Sequence, residues 1–68
     1  MIDASTYTHL FQRPDGKRVL NDLKQRTFER VLGANATDGE LRFLEGQRAL
    51  VALILSLIKQ GQNKGDLT

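Results

Sequence analysis

The 68 residues contain no cysteine and a single histidine, which excludes a disulfide framework and a structural zinc site. A chain this short buries only about 60% of its unfolded surface, so self-association is the reinforcement left to it. Ten Lys+Arg face eight Asp+Glu, six basic and four acidic in residues 1–34 and four of each in 35–68, a balance too even for a dedicated nucleic-acid module.

The opening Met1-Ile2-Asp3-Ala4-Ser5 lacks the basic start and apolar middle of a secretory signal, so an intracellular, uncleaved product is expected. The first helix is expected over residues 5–12, capped by Asp3 or Ser5, with Tyr7, Leu10 and Phe11 on one side. Arg13-Pro14 stops it, because the residue before a proline is driven out of the α region. Pro14 then suits the first turn of a second helix, where its missing N–H costs nothing, and Asp15 complements the positive end of the helix dipole.

This second helix is expected over 14–32. Its stripe at three and four spacing is Leu20, Leu23, Thr27 and Val31, widened by Val19 and Phe28. Gly33 offers a left-handed C-terminal cap. The short loop Gly33-Ala34-Asn35-Ala36 favours an antiparallel hairpin with the helix that follows.

Thr37-Asp38-Gly39-Glu40 fits a capping box and opens a third helix expected over 38–60, with Gly61 ending it. One seam runs Leu41, Leu44, Arg48, Val51, Leu55, Ile58, and a second Phe43, Gln47, Leu50, Ile54, Leu57. Together they cover roughly 200° of the helix, where an ordinary surface helix needs about 100°. Ala49, Ala52, Leu53 and Ser56 fill a sector of mostly small residues. The run 49–58 is half the ~20 residues of a membrane span, so no membrane contact is expected. The fold class predicted is all-α: a single domain over 1–61, one short and two long helices, the long pair an antiparallel hairpin, with a flexible polar tail over 62–68.

No constellation of catalytic type stands out. Asp3, Ser5 and His9 hold the residue types of a hydrolytic triad, but on a terminal helix where Ser5 reads as a cap. No metal, cofactor or enzymatic activity is expected, and the six glycines are too scattered for a phosphate loop. Arg13, Lys17, Arg18, Lys24, Arg26 and Arg30 spread around helix two with Asp22 and Glu29 among them, as a solvated face would. Gln47 and Arg48 fall inside the apolar arc. A charge there needs a partner, and Glu45, Asp22 and Glu29 are within sequence reach, making Glu45, Gln47 and Arg48 a buried polar set. Gly46 costs about 1 kcal/mol against alanine inside a helix, for which a close helix crossing is a reason.

Two blocks, Phe11-Gln-Arg-Pro-Asp-Gly-Lys-Arg-Val-Leu-Asn-Asp-Leu23 and Glu45-Gly-Gln-Arg-Ala-Leu-Val-Ala-Leu-Ile54, resemble a family of small helical proteins of tailed bacteriophages, chiefly short-tailed ones, and of prophages. The resemblance implies a phage origin and a virion-associated or assembly role in the capsid, portal or tail region, and no reaction. The expected function is therefore that of a phage structural or morphogenetic protein in the host cytoplasm or the virion. It would bind other phage structural proteins and its own copies through Ala49, Leu50, Ala52, Leu53, Ile54, Ser56, Leu57 and Ile58. The alternative is a small nucleic-acid-binding or regulatory protein using the basic residues of helix two.

Overall fold

The computed structural model describes residues 2–66, and in them the chain forms three α-helices and no strand: α1 (Ala4–Gln12), α2 (Pro14–Thr27) and α3 (Asp38–Asp66). Asp3 precedes α1 with an extended backbone (φ −74°, ψ 151°). Its carbonyl accepts the Thr6 N–H at 3.0 Å. Arg13 is extended too (φ −66°, ψ 148°), as its place before Pro14 requires. The elbow there is tight. A Cβ added to Gly16 would strike the Leu10 carbonyl oxygen and stand 3.0 Å from Phe11 Cα, so only glycine lets α2 leave α1 this closely.

The firmest helix pairing joins α1 to the C-terminal part of α3. Ala4 and Thr8 are buried at 7% and 5% exposure, and the Thr8 hydroxyl donates to the Ile58 carbonyl at 2.8 Å. Opposite them, a Cβ on Gly61 would collide with Thr8 Oγ1 and lie 2.6 Å from the Ala4 carbonyl oxygen. The two helices run in opposite directions where they meet, Ala4 facing Gly61 and Thr8 facing Ile58. Gly61 therefore does not end the third helix as expected. Burial against α1 offsets its poor helix propensity, and α3 continues to Asp66. The polar tail expected from residue 62 is helical over 62–66, and residues 67–68 lie outside the described residues.

The second helix departs from expectation in the other direction, stopping at Thr27 rather than Leu32. Thr27 Oγ1 donates back to the Leu23 carbonyl at 2.8 Å, a bond that loosens a helix. The Glu29 N–H reaches Lys24 O at 3.2 Å and the Arg30 N–H reaches Thr27 O at 3.4 Å, so the regular ladder has dissolved. Val31, expected on the stripe, is outside the helix and 89% exposed. Gly33 is no left-handed cap, since no described glycine has positive φ. It instead opens a turn closed by the Ala36 N–H on Gly33 O at 3.0 Å. The third helix starts where expected, with Thr37 Oγ1 accepting the Glu40 N–H at 3.1 Å.

The core is thin. Among the described residues, Ala4, Leu44 and Val51 are the buried hydrophobic ones, and no side chain is fully enclosed. The molecule measures 50 × 23 × 19 Å with a radius of gyration of 14.6 Å, against about 11 Å for a compact chain of this length. Its accessible surface is 5471 Å², where a compact monomer of 7.6 kDa would show about 4,300 Å².

Gly61→Ala should destabilise the chain by about 1–3 kcal/mol, the usual penalty of overpacking, because Thr8 and the Ala4 backbone occupy the space for its methyl. Urea denaturation followed by circular dichroism at one fixed protein concentration checks this; an unchanged midpoint would mean α1 does not rest on Gly61.

Candidate interaction surface

The apolar arc of α3 is divided by its neighbours into an inner and an outer face. Inward lie Leu44 and Val51, each 4% exposed, with Arg48, Leu55 and Ile58 half-buried along the same seam. Arg48 is the polar exception, and its guanidinium uses three donors. Nε bonds the Thr27 carbonyl at 2.9 Å, Nη2 the Arg30 carbonyl at 2.7 Å, and Nη1 Glu45 Oε1 at 2.9 Å. The carbonyls freed at the end of α2 are thus met by a cation from α3, at the end of the helix where the dipole favours positive charge.

The expected partners were partly different. Glu45 does pair with Arg48, but its side chain is 69% exposed, so it is not the buried carboxylate expected. Asp22 is taken by Arg26 at 2.7 Å, and Glu29 is exposed. Carboxylates are the obvious partners for arginine in a sequence, whereas backbone carbonyls become available only where a helix ends. Gln47 is half-buried, with its Oε1 buried and unbonded.

The outer face holds the residues expected to dock, except Ile58, which belongs to the inner seam. Leu50 and Leu53 are 59% and 54% exposed. Ala49, Ala52 and Ser56 are exposed, while Ile54, Leu57 and Ile58 are half-buried. Beside them stands Phe43, 68% exposed, which sequence reasoning assigned to a seam rather than to the surface. Gly46 lies on this outer face, and a Cβ there would meet nothing within 4 Å. The close crossing expected at Gly46 is therefore absent within this chain; the crossing is at Gly61 instead. A periodicity does mark the outer face: positions 39, 43, 46, 50, 53 and 57 alternate steps of three and four.

The basic residues of α2 do not gather. Arg18 sits 3.9 Å from Asp15 and Arg26 is held by Asp22. The Ser5 hydroxyl turns to Asp3 Oδ2 at 3.3 Å, and His9 is exposed. Among the described residues no group of three His, Cys, Asp or Glu is placed to hold a metal ion, and no helix is long and apolar enough to cross a membrane. A further apolar spot lies at the elbow, where Leu10 and Val19 are 53% and 54% exposed.

Compared with known proteins, the chain matches the family model described as Bbp19-like phage protein over residues 7–62, a span from Tyr7 on α1 to Gln62 on α3 that contains both sequence blocks noted above. No curated protein and no solved structure matches it.

Arg48→Met should cost about 2 kcal/mol, the scale of hydrogen bonds made by a charged group. Arg48→Lys should recover only part of it, since an ammonium lacks the fixed fork that reaches three acceptors. Glu45→Gln should change stability by less than about 0.5 kcal/mol, its carboxylate being mostly solvated. Hydrogen exchange across residues 23–30 alongside thermal melts measures all three. Equal losses for Glu45→Gln and Arg48→Met would show that the ion pair, not the carbonyl contacts, holds the end of α2.

Proposed function

The chain belongs to the Bbp19-like phage protein family, matched over residues 7–62, and from that membership we propose that it is a phage structural or morphogenetic protein that works by docking on other protein surfaces rather than by catalysis. One observation carries the reading: α3 keeps Phe43, Leu50 and Leu53 more than half exposed, while among the described residues the buried apolar ones are Ala4, Leu44 and Val51. Contiguous exposed apolar surface of this kind is characteristic of binding sites. The two long helices serve as an antiparallel hairpin tied at Arg48, and the outer face of α3 presents the contact residues Leu50, Leu53, Ile54 and Leu57, with Ile58 at its inner edge and Ala49, Ala52 and Ser56 allowing close approach. The partners are other structural proteins of the phage and further copies of the chain. The place of work is the host cytoplasm during assembly, and then the capsid, portal or tail region of the particle.

Leu53→Glu is expected to leave the helical circular-dichroism signal and the melting temperature of the purified chain nearly unchanged, because the side chain is already exposed. The same substitution in the phage genome is expected to remove the chain from assembly intermediates and finished particles, as read by immunoblot of gradient fractions. Absence of the unsubstituted chain from every particle and intermediate would overturn the reading.

A further inference from the structure

The outer face of α3 has a pattern that its own chain does not use. The glycines inside the helices sit at very different sites. Gly16 has the Leu10 carbonyl pressed on it and Gly61 has Ala4 and Thr8, whereas Gly46 has nothing within 4 Å. A mid-helix glycine that no neighbour exploits weakens the helix without a gain inside the molecule. Gly39 is similar, meeting only Thr37 Oγ1 at 3.8 Å. Both glycines lie on the stripe that also carries Phe43, Leu50, Leu53 and Leu57, so two gaps flank Phe43 and three leucines follow, the last of them half-buried.

Resting on the docking role proposed above, we propose that the occupant of this stripe is a second copy of the chain, packed antiparallel about a two-fold axis midway between Gly46 and Leu50. In that register Leu50 of each copy enters the gap over Gly46 of the other, Leu53 lies against Phe43, and Leu57 lies over Gly39. Each large group meets a gap or a ring, and every contact occurs twice, as an isologous interface requires. The stripe is self-complementary in this register. A parallel, in-register pairing would instead set gap against gap and leucine against leucine.

Area and charge favour the same occupant. The elongated chain as a whole exposes about 1,200 Å² more than a compact monomer of its mass would, more than the about 800 Å² that a standard interface removes from each partner. No charged residue stands between Arg48 and Lys59, so in this register the uncharged run of each copy lies along residues 39–47 of the other and brings no charge against Glu40, Arg42 or Glu45 there. Arg48 itself is turned away, bonded to Thr27 and Arg30.

The chain has no cysteine, so single thiols can read the register. In the proposed pairing two Ala49→Cys positions are offset by about 3 Å along the axes and two Ser56→Cys positions by about 24 Å, from the rise of 1.5 Å per residue. Sedimentation equilibrium of the purified full chain should give twice the 7.6 kDa mass. A short thiol cross-linker should join Ala49→Cys and spare Ser56→Cys. Gly46→Ala should raise the helical content yet weaken self-association by about tenfold or more, the scale of losing a well-fitted contact. Equal cross-linking at both positions would overturn the antiparallel register, and a single-chain mass up to millimolar concentration would overturn the second copy as occupant. Neither result bears on whether the chain is present in phage particles, so failure here is separable from failure of the docking role.

Discussion

The backbone-level approach of α1 to α3 at Gly61 is the contact from which the rest of the architecture follows. Without a Cβ at 61, the Ala4 carbonyl and the Thr8 hydroxyl settle directly on α3, and the hydroxyl finds the Ile58 carbonyl at 2.8 Å. A carbonyl has two lone pairs, so Ile58 can accept this bond without giving up its helical one. The pairing spends the C-terminal part of α3 on a nine-residue helix. A helix of that length is marginal alone, and α1 covers only a limited part of its 29-residue partner.

At the other end of α3 the tie is polar. Arg48 brings three donors to the place where α2 gives out, and it remains partly solvated, with 30% of its side chain exposed. That mixture avoids the full desolvation cost of a buried ion pair while satisfying carbonyls that the end of a helix leaves open. The chain from Phe28 to Thr37 consequently forms the link to α3 instead of another turn of helix, and Phe28 and Val31 stand exposed at 42% and 89%. Two anchors, one of close backbone packing and one of charge-assisted hydrogen bonds, hold three helices with little enclosed core between them.

A fold held this way carries its apolar surplus outward. Hydrophobic surface left in water forgoes the about 25 cal/mol for each Å² that its burial would contribute. Anything that covers the outer face of α3 therefore stabilises the folded chain in proportion to its own concentration and affinity. Coverage of the stripe and stability are linked here more tightly than in a larger domain, and the exposed stripe is the weakness of the isolated chain.

The helical class, the break at Arg13-Pro14, the start of α3 at Thr37 and the excess of apolar surface on α3 were legible in the sequence, because each depends on residues within one or two turns of one another. The Thr37 cap, Pro14 and the three-four spacing of α3 act locally, and tertiary context left them intact, whereas Asp3 makes no side-chain cap bond on α1. The end of α2, the fate of Gly33 and Gly61, and the exposure of Phe43 and Gly46 depend on contacts between distant residues: Thr8 with Ile58, 50 positions apart, and Arg48 with Thr27, 21 apart. A glycine reads alike in sequence whether it caps a helix, admits a neighbour or lies open. Only the packing of α1 and α2 on α3 determined that Gly61 is occupied and Gly46 is not, since the space beside a glycine belongs to whichever part of the chain arrives there.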